Sequence, residues 1–132
     1  MRKVLDAWAV LTWLERGAAW PTVQALLEAA SGGALELYIN MINAGEVYYV
    51  LARRRGVLYA EEFLEDLDAA LPVRVILPDR ALIAQAARLK SRYPISYADG
   101  FAAATALELA APLVTGDPEL RTVAGLQLEW LG

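Results

Sequence analysis

The chain has 132 residues, 58% of them apolar, with 12 basic against 16 acidic side chains and neither Cys nor His. That length suits one domain over residues 1–132 with one sizeable core, and the net charge of −4 argues against a binder that holds nucleic acid by neutralising phosphates alone. The two missing residue types exclude disulfides, thiolate nucleophiles, Ser-His-Asp arrangements and imidazole zinc sites, so any metal must be held by oxygen, which favours Mg²⁺ or Mn²⁺.

Lys3-Val4-Leu5 reads as a short strand that stops at Asp6, and Ala7 to Glu15 carries helix formers up to Gly17. Pro21 opens a second helix whose Val23, Leu26, Leu27 and Ala30 form an amphipathic stripe, ended by Gly32-Gly33. Leu35 to Ile39 alternates as a second strand, and a long helix from Ile42 ends in Arg53-Arg54-Arg55 before Gly56, where the dipole favours cations. A helix over Ala60–Leu71 follows, its many acids forming a solvated face, with Pro72 as its stop. Arg74 to Leu77 is a third strand, Asp79 caps a helix running toward Ser91, and Pro94 breaks the chain. The next helix starts at Ser96-Tyr97-Ala98-Asp99, a capping-box pattern ahead of an apolar run. Pro112 to Thr115 is a fourth strand, Gly116-Asp117-Pro118-Glu119 leads into a helical turn, and Leu126 to Trp130 makes a last short strand. Strands alternating with helices imply an α/β domain with a mostly parallel sheet.

Charged residues interrupt every apolar run before the roughly 18 residues a bilayer span requires, so no membrane association is expected. Asp6 and Glu15 also cut the segment that might imitate a secretory signal, which places the protein in the cytoplasm. The apolar surplus and four Trp imply that some surface meets a partner.

In parallel α/β sheets ligands bind beyond the carboxyl ends of the strands. Asp6 and Asp117 each follow a strand, although either also suits a helix cap. Glu46 lies in the first turns after the second strand and shares a helix face with Asn43, three residues before it. Asp99 completes a set of four acids, each near the start of an element.

Leu5-Asp6-Ala7-Trp8-Ala9-Val10-Leu11, Glu46 after the second strand, Asp99 in a Tyr-Ala-Asp helix start and Thr115-Gly116-Asp117 together resemble a PIN-domain ribonuclease of the kind found as the toxin of VapBC-type toxin-antitoxin pairs. The resemblance spans the whole chain. It implies a PIN-like three-layer α/β/α sandwich with four to five short strands, an acidic site for Mg²⁺ or Mn²⁺, endonucleolytic cleavage of RNA, and inhibition by a cognate antitoxin. By the same resemblance Asp6, Glu46, Asp99 and Asp117 are the metal-site acids and Thr115 the hydroxyl that accompanies them. Asp6 and Asp99 are assigned the principal cation, Glu46 and Asp117 bind or orient it through water, Thr115 positions water or phosphate, and Asn43 is an accessory contact. Family members often carry Ser or Thr soon after the first Asp, where this chain has Ala7 and Trp8. Glu119 occupies a position where some relatives have a further acid. Arg53 to Arg55, Arg88, Lys90 and Arg92 are candidate substrate contacts, and Trp8, Trp13, Trp20, Tyr48 and Tyr49 are candidates for the core, for a homodimer contact or for an antitoxin groove. The competing classes are a catalytically inert PIN-fold interaction module and a phosphoacceptor receiver domain. The receiver is disfavoured because Asp6 has no acidic neighbour and no Lys follows Lys90.

Overall fold

Five strands alternate with six helices in the computed structural model, which describes residues 1–132. In chain order these are β1 (Arg2–Leu5), α1 (Ala7–Leu14), α2 (Trp20–Ser31), β2 (Glu36–Asn40), α3 (Met41–Arg55), α4 (Val57–Ala69), β3 (Val73–Ile76), α5 (Arg80–Arg92), α6 (Tyr97–Leu109), β4 (Leu113–Thr115) and β5 (Leu128–Trp130). A short 3-10 turn, Pro118–Thr122, lies between β4 and β5. The strand order is β3-β2-β1-β4-β5, and all four pairings are parallel, so the sheet is wholly rather than mostly parallel.

The period of two along each strand divides the core. Leu5, Leu37, Ile39 and Val114 pack with α1 to α4, whereas Val4, Tyr38 and Leu113 pack with α5 and α6. The result is a three-layer α/β/α sandwich. The same alternation extends one step beyond the apolar residues: Asp6 follows Val4 by two, Asn40 follows Tyr38 by two, and Thr115 follows Leu113 by two. Three buried polar side chains therefore stand at the carboxyl ends of neighbouring strands, on the face that α6 covers.

Helix α6 is buried continuously from Asp99 to Ala106, as expected of a helix enclosed on all sides. Its small residues make this feasible: a Cβ at Gly100 would lie 2.8 Å from the carbonyl oxygen of Ala86 in α5, so only Gly allows this approach. Most boundaries lie within one or two residues of those the sequence suggests, β5 starting at Leu128 rather than Leu126 and β3 shifting back by one to Val73–Ile76, and the largest difference is in α4. Helix α4 begins at Val57 rather than Ala60, because Val57 and Leu58 are exposed and so carry no periodic burial signal. It ends at Ala69, before Leu71 and Pro72. The acids Glu61, Glu62, Glu65, Asp66 and Asp68 are all exposed, and the Arg53 to Arg55 run does fill the last turn of α3.

Candidate metal centre

Asp6 leaves β1 and immediately caps α1, its Oδ1 accepting from the backbone N–H of Ala9 at 2.8 Å. Its Oδ2 accepts a hydrogen bond from the hydroxyl of Thr115. Because β4 is the direct neighbour of β1, this contact closes over 109 positions of sequence. The Thr115 hydroxyl oxygen in turn accepts from the backbone N–H of Asp117 at 3.0 Å, and the Oδ1 of Asp117 accepts from that of Glu119 at 3.0 Å. One hydroxyl thus fixes the Asp6 carboxylate and the turn that carries Asp117.

Asp99 enters from the N-terminus of α6. The capping box is formed: the N–H of Asp99 donates to Ser96 Oγ at 3.1 Å, and Asp99 Oδ2 accepts from the N–H of Ser96 at 3.3 Å. Capping engages only Oδ2 of Asp99 and leaves its other carboxylate oxygen free. From α3, Asn43 donates from Nδ2 to the carbonyl of Ala98 at 2.9 Å, tying Glu46's helix to the residue before Asp99. Asn43 Oδ1 is the one buried side-chain polar atom without a hydrogen-bond partner. The C-terminal residue of β2, Asn40, accepts from the N–H of Ile42 at 2.9 Å and donates to Thr105 Oγ1 at 3.1 Å, which docks α6 against that strand.

The four acids act on one another. Burial raises Asp6 from 3.8 to about 7, against the lowering effect of its Thr115 and Ala9 hydrogen bonds, with Asp99 and Asp117 adding to the rise. Burial also raises Asp99, to about 6, and the charges of Asp117 and Glu46 push the same way. Glu46 is raised by burial and by Asp117. The carboxylates of Asp99, Asp117 and Glu119 converge, with one oxygen from each lying within 4.8 Å of the others. Glu119 is the member that sequence reasoning underweights, because an acid after Asp-Pro is fully accounted for by a first-turn position. The sequence signal that could promote it is its spacing of two from Asp117 on a tight turn.

The donor set suits a hard divalent cation. It is made of oxygen only, burial and neighbouring charge hold Asp6, Glu46 and Asp99 above their ordinary range, and the spread of the Asp99, Asp117 and Glu119 oxygens is close to the ~4.2 Å between opposite oxygens around Mg²⁺. Asp6 is deeper, at 2% exposure, and both its oxygens already have protein donors.

The profile of the PIN domain matches residues 3–126. The chain belongs to the PIN-domain family. Among solved structures, this PIN domain is similar to VapBC2 from Rickettsia felis bound to a DNA fragment from its promoter, with a TM-score of 0.75, 17% identity and full coverage of both chains. It is also similar to Mycobacterium tuberculosis VapC20, described as a sarcin-ricin-loop-cleaving toxin, with a TM-score of 0.75 and 18% identity over 94% of this chain and 95% of that one. VapBC-1 from nontypeable Haemophilus influenzae aligns with a TM-score of 0.70 and 18% identity over 99% and 98%. No curated protein matches the chain in sequence. At these identities the structural likeness establishes the PIN fold.

Trp8, where relatives often have a small hydroxyl residue close by, costs Asp6 no hydrogen bond here, because Thr115 and Ala9 supply both donors. Of the other aromatics, Trp13 and Tyr48 pack against the core of the α1–α4 side, and Trp13 Nε1 donates to Gln24 at 2.8 Å. Trp20 lies under the Arg16 guanidinium, 4.2 Å from its ring centre, and Tyr49 is 48% exposed. Arg53, Arg54 and Arg55 are exposed; Arg54 pairs with Glu15, and Arg53 and Arg55 lie over Tyr49 and Tyr59. Arg88, Lys90 and Arg92 lie on α5, where Arg88 stands near the exposed Ser91 at the helix end. No helix is long and apolar enough to cross a membrane.

Proposed function

We propose that this PIN domain is a Mg²⁺- or Mn²⁺-dependent endoribonuclease, the toxin component of a type II toxin-antitoxin pair. The observation that carries this reading is the meeting of Asp6, Glu46, Asp99 and Asp117, from four separate elements, at the carboxyl edge of the sheet, where each of the first three has its proton affinity raised by at least one other. Carboxylates held this close are unfavourable on their own: two unit charges about 4 Å apart repel by roughly 4 kcal/mol at an effective dielectric near 20. A divalent cation removes that cost, so the site is built for a condition in which the ion is present.

In this reading Asp99, Asp117 and Glu119 would hold the ion, with Asp6 and Glu46 supporting the site beside them. The bound cation supplies an acidified water and Lewis-acid stabilisation of charge on the phosphoryl oxygens. The chain's own residues do the positioning. Thr115 keeps Asp6 and the Asp117 turn in fixed relation, Asn43 holds the first turn of α6 against α3, and the free lone pairs of Asn43 Oδ1 and Glu46 are available to orient water. The expected substrate is single-stranded or looped RNA, whose phosphodiester can enter an edge site of this kind.

The partner is a cognate antitoxin, and a homodimer is expected. Support comes from Tyr49, Val57 and Leu58, exposed large apolar side chains around the α3–α4 junction, and from the similarity to structures described as VapBC complexes. The expected setting is the cytoplasm. The test is cleavage of a labelled tRNA and rRNA panel with Mg²⁺, Mn²⁺ or chelator, using wild type and Asp99→Asn. Cleavage should need the cation and vanish in the variant, while metal-free melting of Asp99→Asn is equal to or above wild type, since its raised carboxyl destabilises the fold when ionised. A saturating cation at about 100 times its Kd should add roughly 2.7 kcal/mol to the wild type alone. Metal binding without cleavage of any RNA would make the domain an inert interaction module.

A further inference from the structure

Trp8 is a large aromatic residue that belongs to neither hydrophobic core, yet it sits beside the acids. Its position is fixed by Gly116, the residue between Thr115 and Asp117. A Cβ placed on Gly116 would lie 2.3 Å from Trp8 Cη2, 2.4 Å from Cζ2 and 2.6 Å from Cζ3. Near-equal distances to three consecutive ring atoms put that point above the ring face, because an approach along the ring edge would leave the two flanking atoms much farther than the middle one. The six-membered ring of Trp8 therefore lies face-down on the Gly116 backbone. The indole is only partly buried, so it remains accessible away from that contact.

We propose that Trp8 is a binding residue for the substrate: its indole stacks on one unpaired nucleobase next to the phosphodiester at the acidic site. The inference rests on the endoribonuclease reading above and adds a specificity element to it. Three considerations favour a base over other ligands. A partly exposed indole that supports no core gains little by staying in water, and stacking against a flat partner recovers its apolar area. The site's own charge is negative, so it offers RNA few phosphate contacts, and an uncharged stacking contact adds affinity where charge does not. Finally, the ring rests on the residue that joins Thr115 to Asp117, so a base held there places its flanking phosphate near those carboxylates.

The experiment uses the full chain with Mn²⁺ and a short labelled single-stranded RNA that wild type cleaves. Trp8→Ala and Trp8→Phe are compared with wild type for KM, kcat and melting temperature. Stacking worth that of one base should raise the KM of Trp8→Ala roughly 5- to 150-fold with kcat little changed. Trp8→Phe should recover most of the loss, and an abasic substitution at one nucleotide beside the cleaved bond should raise the wild-type KM but not that of Trp8→Ala. A fall in kcat at unchanged KM would overturn the proposal and make Trp8 a packing support for the Thr115–Asp117 turn. Unchanged kinetics with weakened inhibition by the antitoxin would overturn it in favour of a protein contact. If wild type itself neither binds nor cleaves RNA under these conditions, the endoribonuclease reading falls first, and this inference falls with it.

Discussion

Replacing Asp6 by Asn should make the metal-free protein more stable above neutral pH, although it alters a side chain that caps a helix. The folded chain holds Asp6 at about 7 instead of 3.8, chiefly through burial. Between those values the native state keeps a proton that the unfolded chain releases, so stability is full below about pH 4 and falls as pH rises toward about 7. At about 1.4 kcal/mol per pH unit, ionising Asp6 costs the fold roughly 4 kcal/mol. Asn keeps the acceptor for the Ala9 N–H and cannot ionise. It loses the charge-assisted bond from Thr115, a loss of about 2 kcal/mol, leaving a net gain of roughly 2 kcal/mol at about pH 8. For a domain of this size that corresponds to a melting temperature higher by roughly 7 °C. The assay is thermal or urea unfolding of both proteins in chelator from about pH 4 to pH 8. The variant should lie slightly below wild type at the acidic end, where only the Thr115 bond is lost, and cross above it as pH rises; Mn²⁺ should narrow the gap at high pH by stabilising the wild type more than the variant. An Asp6→Asn variant that melts below wild type at about pH 8, or a gap independent of pH, would refute the reasoning.

Substitutions at two other positions probe the surroundings. Thr115→Val leaves both the Asp6 Oδ2 and the Asp117 N–H without their partner, and should cost about 2 kcal/mol in urea unfolding. Thr115→Ser should restore most of it, which separates the hydroxyl from the methyl. Gly116→Ala forces a methyl into the Trp8 ring and should cost about 1–3 kcal/mol. In a Trp8→Ala background the same change should cost less than about 0.5 kcal/mol, and a double-mutant cycle reads the coupling directly.

The alternation of strands and helices is legible in the sequence because each element carries its own period and its own stop: Asp6, Asp79 and Ser96 do cap α1, α5 and α6, and Gly32 and Gly56 do end α2 and α3. Local signals also locate the acids. What they cannot supply is anything decided by partners distant in sequence. Asn40 lies just past the strand the sequence suggests and has no role in that reading, and only its bond to Thr105, 65 residues away, shows that it docks α6. The order β3-β2-β1-β4-β5 has no local signature either, yet it is what brings Thr115 to Asp6. The sequence leaves Trp8 open between core, homodimer and antitoxin contact, because nothing in Asp-Ala-Trp says that the ring will rest on a glycine far along the chain. Glu119 escapes notice for the opposite reason, since a local explanation is sufficient.

The bond between Asp6 and Thr115 spans nearly the whole chain, and this gives the site a timetable. Synthesis at roughly 5–20 residues per second leaves roughly 5 to 20 s between the appearance of the first acid and that of the hydroxyl that fixes it. Throughout that interval β1 lacks its β4 neighbour and the Asp117 turn does not exist, and α6 itself is made only near its end. A chain not yet extended as far as Thr115 therefore has no assembled acidic site. For a domain that cleaves RNA, as proposed above, no activity precedes the docking of β4 against β1, and an inhibitor that recognises the completed site has nothing to bind before then.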